Sequence, residues 1–369
     1  MRLATFNTEN MFERASIMNL PTWDDGRKGL QDFSRLTDLI QKQQYSEQDK
    51  NEMLNIMKQY KGLLTKGEST YIILNEVRGK LLKKGGSPKI AANGRDDWIG
   101  WFELKQEPIN EVAIENTARV FHELNADVFC VEETESRTAL NHFNEAVIPK
   151  VGGPTYDHVM LIDGNDDRGI DVGIMTKQSF DIQSIVSHVD DSDAHGKIFS
   201  RDCAEYKINT PSGNTLLVLI NHFKSKGYGS QDENNRKRER QAKRVREIYD
   251  QHLNEGLEFI AVVGDLNDTP NSHPLQPLLS DGSNLVDIMN HNKFVGDGRP
   301  GTHGNGNPGD KIDYILMSPQ LVNVVQQGGI ERRGVWGGKN GTLFSHYPEI
   351  KKSKDAASDH AALWVDLDL

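Results

Sequence analysis

Cysteine is the scarcest chemistry-bearing residue in this chain: 369 residues hold two, Cys130 and Cys203. Two thiols with no CxxC spacing exclude a disulfide framework and argue against a structural zinc site. Cys130 sits between Phe129 and Val131 in an apolar run, the setting of a buried, inert thiol. A reducing, cytoplasmic compartment is therefore expected. Long apolar runs are also missing. None approaches the roughly 18 residues that suggest a membrane span, so no membrane partner is expected. Residues 1–6 read directly as a strand, without the charged segment and apolar stretch of a secretory leader. No internal repeat and no low-complexity segment appears, which excludes repeat architectures. Positive charge is in deficit: the net charge is −11. That argues against a nonspecific nucleic-acid coat. The deficit is uneven, because residues 14–105 are net basic and the remainder more acidic than the whole. An acidic remainder suits a cation-dependent site, and surface solubility explains it equally well.

With 36% hydrophobic and 26% charged residues, the chain is long enough for one large domain or two ordinary ones. After the first strand come about a hundred residues of different character. Residues 31–43 present Phe33, Leu36 and Ile40 at helical spacing. Ser46-Glu47-Gln48-Asp49 fits a capping box ahead of Met53, Ile56, Met57, Tyr60 and Leu64. A third helix is expected over 71–84, with a basic end at Arg78, Lys80, Lys83 and Lys84. From residue 111 the elements alternate. Helices are expected at 111–124, 141–148 and 235–252. Strands are expected at 127–131, 158–162, 172–175, 181–186, 203–208, 216–220, 259–263, 312–316 and 361–365. Mixed strands and helices of this kind suggest a layered enzyme with paired sheets. The glycine-rich stretches at 296–309 and 334–341 read as long loops, which are often functional in compact domains.

Polar groups stand at the ends of these strands. Asp265 and Asn267 leave the apolar run 259–263 two residues apart, so strand alternation points them the same way. Alone, Gly264-Asp265-Leu266-Asn267-Asp268 reads equally well as a turn. The construction recurs at Asn7, at Glu132-Glu133, at Asn221-His222, at Asp313 inside an apolar strand, and at Ser358-Asp359-His360. A charge among apolar strand residues needs a partner, or it costs several kcal/mol. Histidine is the natural one, as Asp359 or Asp265 with His360, and as Asp313 with His222. Oxygen donors with imidazoles and no thiolates suit a hard cation, Mg²⁺ or Mn²⁺. Such a site serves attack of water on phosphorus, the Asp–His pair supplying the base.

These residues resemble the endonuclease/exonuclease/phosphatase superfamily, the pancreatic-deoxyribonuclease-like fold, as a bacterial-type member with a long insertion near its N-terminus. The resemblance covers the first strand and residues 111–369. It rests on Phe6-Asn7, on the run from Asp127 through Glu133 to Thr134, and on Asp171-Val172-Gly173-Ile174-Met175. Asn221-His222-Phe223-Lys224-Ser225, the Gly264–Asp268 segment, Lys311-Ile312-Asp313-Tyr314 and Ser358-Asp359-His360 complete it. It implies an α+β fold: a four-layer α/β/β/α sandwich of two mixed sheets flanked by helices. Residues 1–369 would form one catalytic domain, interrupted by a mainly helical insertion over 14–110. The insertion would lie near the rim of the site.

The resemblance also implies roles. Glu133, helped by Asn7 and Asp359, would bind the metal. Asp265 and Asn267 would position the nucleophile and the phosphate. His360 would be a general base or a phosphate-binding imidazole, and His222 with Asp313 a second catalytic imidazole. Lys224, Arg168, Arg201 and Asn221 are candidate phosphate contacts, a structural salt bridge being an equal reading for the arginines. The family carries glutamine where Glu132 stands; that extra carboxylate would recruit a second cation or point into the sheet. The expected activity is metal-dependent phosphodiester hydrolysis, with DNA favoured over RNA. The basic helix start from Arg236 to Arg246 and the net-basic insertion lean that way. Trp98, Trp101 and Trp336 are possible base-stacking platforms, with core packing the stronger reading. The alternatives are hydrolysis of a small phosphorylated molecule or lipid head group, and an inactive binding protein on the same fold.

Overall fold

The computed structural model describes all residues except 12–14, 20–22, 85–86, 107–109, 167–168 and 228–229. The chain divides into two compact units. One comprises Met1–Phe12, Asn110–Lys226 and Ser230–Leu369; the other is essentially Glu13–Ile109.

The larger unit follows from strand alternation. In Arg2–Met11, Val128–Thr134 and Asp171–Thr176, one set of side chains (Leu3, Val128, Cys130, Val172, Ile174) faces a second sheet. There it meets Val218, Ile220, Ala261, Val263 and Ile315. The alternate residues Ala4, Phe6, Phe129 and Val131 face outward, onto Ala118, Phe121 and Leu124 of the Glu111–Leu124 helix. The second sheet repeats the pattern: Leu217, Leu219, Ile260 and Val262 pack on Ala242, Val245, Ile248 and Tyr249 of Gln231–Asn254. Both faces of both sheets are thus apolar, which is why these strands read as near-continuous hydrophobic runs. Each such side chain contributes about 1.5–3 kcal/mol by leaving water. The result is two large mixed sheets with helices outside.

The first sheet has seven strands, with Arg2–Met11 between Ala362–Leu367 (antiparallel) and Val128–Thr134 (parallel). The second has six, with Phe259–Asp265 between Thr215–His222 (parallel) and Asp313–Met317 (antiparallel). These pairings place Asn7 beside Glu132, and Asp265 beside both His222 and Asp313. Among the described residues, no helix is long and apolar enough to cross a membrane.

The smaller unit has its own core of Leu36, Leu39, Met53, Met57, Leu63, Ile72, Trp98 and Phe102. Helices span Trp23–Ile40 and Glu47–Lys58; Ser46 and Asp49 close the expected capping box on the second. The helix expected over 71–84 is a strand instead. Ile72–Arg78 pairs antiparallel with Ile99–Leu104. Alternation decides it: Gly100, Phe102 and Leu104 are buried while Ile99, Trp101 and Glu103 are exposed, and Ile72 and Leu74 match them across the ladder. Trp98 is buried in this core, so it is not available for stacking.

Gly264 lies where the second sheet delivers Asp265. Its φ is +116°, and a Cβ there would lie 2.1 Å from the Asn221 carbonyl oxygen. Gly264→Ala is expected to destabilise the fold by more than about 1 kcal/mol, because alanine meets both a strained φ and backbone. A urea melt with an unchanged midpoint would contradict this.

Candidate active site

Two backbone irregularities aim the acids. Strand pairing slips after Asn7 and again between Glu132 and Thr134. Glu9 and Glu133 take φ of 53° and 60°, as does Asn267 at 53°. Strain of this kind in non-glycine residues costs about 1–3 kcal/mol each and gathers at functional sites. The bulge turns Glu133 toward the second sheet, while Glu132 keeps the inward direction of Cys130.

Asn7 is 1% exposed and joins the sheets. Its amide nitrogen donates to Glu133 Oε1 (3.3 Å) and to Asp265 Oδ2 (3.2 Å). Its oxygen accepts the Glu9 N–H at 3.0 Å. In this orientation the Asn7 amide nitrogen faces the two carboxylates, while its oxygen is turned to the Glu9 N–H. His222 Nε2 stands 3.6 Å from both Glu133 Oε1 and Asp265 Oδ2. Asn267 donates its backbone N–H to Asp265 Oδ1 and its amide to Oδ2 and to the Phe223 carbonyl.

The expected pairing of Asp313 with His222 is wrong. Asp313 holds His360: both carboxylate oxygens lie 3.0 Å from its Nδ1. The antiparallel ladder explains the exchange, since it sets Asp313 beside Asp265 while the terminal strand brings His360 to its side. Thr302 Oγ1 donates to Asp313 at 2.6 Å, fixing the carboxylate in turn. Asp359 faces His303, whose Nε2 is 3.2 Å from Oδ2, and its backbone N–H donates to Glu9. His303, Thr302 and Glu9 were not singled out from sequence. The signal available was the glycine-rich loop 296–309, which carries His303 and Thr302.

Among the described residues, His/Cys/Asp/Glu donors converge within 4.8 Å in two groups: His303–Asp359–His360 and Asp265–Asp313–His360. Glu133 belongs to neither.

Electrostatics follow burial. Burial, then the Asp313 charge, pushes the Asp265 carboxyl up to about 7. Burial alone would lower His360, but the charge and hydrogen bond of Asp313, with Asp359 and Asp265, hold it well above the usual imidazole value. Asp359 likewise outweighs burial at His303 and raises it. Glu132 is fully buried, and burial raises it well above the usual carboxyl range. It accepts the Thr5 hydroxyl at 2.6 Å. It lies buried between the sheets, one of the two placements open to the extra carboxylate.

The other expected phosphate contacts fare differently. Arg201 is 2% exposed and holds Asp166 at 3.0 Å and the Phe223 carbonyl at 3.0 Å; it is an internal brace rather than a phosphate clamp. Asn221 is fully buried on the face opposite His222, bonded to the Leu219 carbonyl. Strand alternation separates it from the site. Lys224 is half-buried. Arg168 lies outside the described residues. The basic helix is largely neutralised within the molecule. Arg238 is buried against Asp268, while Arg240 pairs with Asp193, Lys243 with Glu239, Arg244 with Asp191 and Arg246 with Asp250. Trp336 stacks on His346 at 5.4 Å.

Residues 110–360 match the sequence model of the Endonuclease/Exonuclease/phosphatase family. The chain belongs to that family. Its members are metal-dependent hydrolases of phosphoester bonds. A mannosyl-6-phosphatase of Bacteroides thetaiotaomicron is a similar solved structure, at 18% identity and TM-score 0.51, covering 70% of this chain and 91% of that one. An endonuclease/exonuclease/phosphatase of Bacteroides vulgatus is similar at 15% identity and TM-score 0.50, over 70% and 91%. At these identities the likeness is one of fold. No curated protein matches the chain.

The raised Asp265 carboxyl has a sign that can be tested. Between its ordinary value of 3.8 and about 7, the folded protein keeps a proton that the unfolded chain has released. Its stabilising contribution is present below 3.8 and lost as pH rises through about 7. Metal-free protein should lose a few kcal/mol over that interval, at 1.36 kcal/mol per pKa unit. Asp265→Asn should flatten the slope. Denaturant unfolding from pH 4 to 8 with identical slopes for the two proteins would contradict the assignment.

Proposed function

We propose that this protein hydrolyses a phosphate ester of a small molecule by in-line attack of water, with Mg²⁺ or Mn²⁺ at Glu133. The observation that carries the reading is the convergence of fixed carboxylates and imidazoles at the ends of the two sheets. Glu133 and Asp265, bridged by Asn7, stand against His222; Asp313 fixes His360. The donor set fits a hard cation: carboxylates crowd a buried place where Asp265 is already driven toward its neutral form.

When bound, a divalent cation neutralises phosphate oxygens and stabilises the leaving oxygen. The chain's own groups do the rest. Asp265 and Asn267 orient the water and the phosphate. His222 takes the water's proton as the oxygen–phosphorus bond forms. The raised His360, held through Nδ1 by Asp313, donates its Nε2 proton to the departing oxygen as that oxygen's bond to phosphorus breaks. The balance is one water consumed and one ester cleaved.

A small substrate is favoured because the helix cations that would track a DNA backbone are engaged within the molecule. The second reading is DNA cleavage, favoured by Arg236, which is exposed on the same helix and has no ion pair among the described residues, and by the net-basic insertion. Turnover of p-nitrophenyl phosphate, its bis-ester and plasmid DNA, each with Mg²⁺ and Mn²⁺, separates the readings. Glu133→Gln and His360→Ala should each lower kcat about 100-fold or more on the small esters. Full activity in both variants would remove the assigned site. Plasmid cleavage outrunning the small esters, with DNA binding that weakens steeply in salt, would favour the second reading.

A further inference from the structure

We propose that Arg238, on the inner face of Gln231–Asn254, is a positioning residue: it locks the segment leading out from His222 to the segment that carries Asp265 and Asn267. The proposal rests on the hydrolase reading above and adds the helix to the parts that set its geometry. Three observations carry it. The first is burial. Arg238 is fully buried, and among the described residues no other fully buried side chain is larger. A guanidinium taken out of water is retained only where acceptors match its donors.

The second is what those donors reach. Nε donates to Asp268 Oδ2 at 3.0 Å, Nη1 to the Lys224 carbonyl at 2.9 Å, and Nη2 to Asn235 Oδ1 at 2.6 Å. Lys224 follows two residues after His222, and Asp268 three residues after Asp265. The strands that deliver them are parallel neighbours, with His222 beside Asp265. One planar fork therefore ties the exits of both strands together. Asp268 is held in turn. Its Oδ1 takes Lys226 Nζ at 2.6 Å, and its carbonyl accepts the Tyr314 hydroxyl at 2.8 Å.

The third is the backbone between the two exits. Gln241, also fully buried, accepts the Lys224 N–H at 2.9 Å. Residues 238 and 241 are three apart and share a helix face, so one face grips both the N–H and the carbonyl of Lys224. The Phe223 N–H donates to the Asp265 carbonyl at 2.9 Å. The Phe223 carbonyl accepts Arg201 Nη1 and the Asn267 amide. Each backbone polar group of Phe223 and Lys224 thus has a fixed partner. That backbone delivers His222 to its place 3.6 Å from Glu133 and from Asp265. A shift of about 1 Å at a reacting group costs about 100-fold in rate, so the grip bears on turnover as well as on folding.

The test pairs steady-state kinetics on p-nitrophenyl phosphate and its bis-ester, with Mg²⁺ or Mn²⁺, with hydrogen exchange read by mass spectrometry over residues 222–226 of the full-length protein. Arg238→Lys keeps the charge and replaces the fork by a single ammonium. It should lower kcat about 10- to 100-fold with KM within about threefold, and speed exchange over 222–226. Gln241→Met removes only the acceptor for the Lys224 N–H. It should move both readouts the same way, and it decides the matter if Arg238→Lys fails to fold. Val245→Ala, which loosens packing of the same helix, and Lys243→Ala, which removes an exposed cation, should keep kcat. An unchanged kcat in folded Arg238→Lys or Gln241→Met, or an equal fall in Val245→Ala, would overturn the positioning role and leave the hydrolase reading standing. A wild type that turns over neither ester would remove the hydrolase reading, and this proposal with it.

Discussion

The Asn7 carboxamide joins the two sheets at the end where the candidate site lies. It is buried, and it donates to a carboxylate from its own sheet, Glu133, and to one from the facing sheet, Asp265. Without a donor between them, two carboxylates in that place would repel each other in a low-dielectric gap. The amide can serve both because pairing with Val128–Thr134 sets it beside Glu132, and the bulge at Glu133 brings the next residue around. Packing of the sheets, aim of the acids and crowding of charge are consequences of one geometry.

Around that bridge the polar groups are nested. His222 stands between the same two carboxylates, and Asp313 holds His360 while Thr302 holds Asp313. Each buried charge has a partner, as the cost of burying it alone requires. Glu132 meets the same constraint differently. Burial raises its carboxyl well above the usual range, and it accepts the Thr5 hydroxyl. The same logic applies to the helix arginines. Arg238 is buried against Asp268, so a cluster that looks like a polyanion stripe in one dimension is in large part internal wiring in three.

Much of this was legible from residue order. The long apolar runs identify the strands of both sheets, because a strand buried on both faces can carry little else. Asn7, Glu133, His222, Asp265, Asn267, Asp313, Asp359 and His360 could be picked out because a polar group at the end of an apolar strand is costly unless it has a use. Pairings were not legible in that way. Residue order suggests Asp313 with His222, whereas register sets it against His360. Asn221 and Arg201 looked like phosphate contacts, and alternation and burial turn them inward. Residues 72–78 carry a helical pattern in one dimension, and their alternation shows only against the partner strand Ile99–Leu104.

The sequence by itself determined the layered class, the apolar faces and the inventory of chemical groups, since these depend on side-chain type and on periods of 2 and 3.6 residues. Tertiary structure alone decided which carboxylate holds which imidazole, and that the loop histidine His303 stands beside Asp359 and His360. Those partners are 47 and more residues apart along the chain, and their meeting rests on sheet register and on a left-handed backbone at Glu133 that no local pattern encodes.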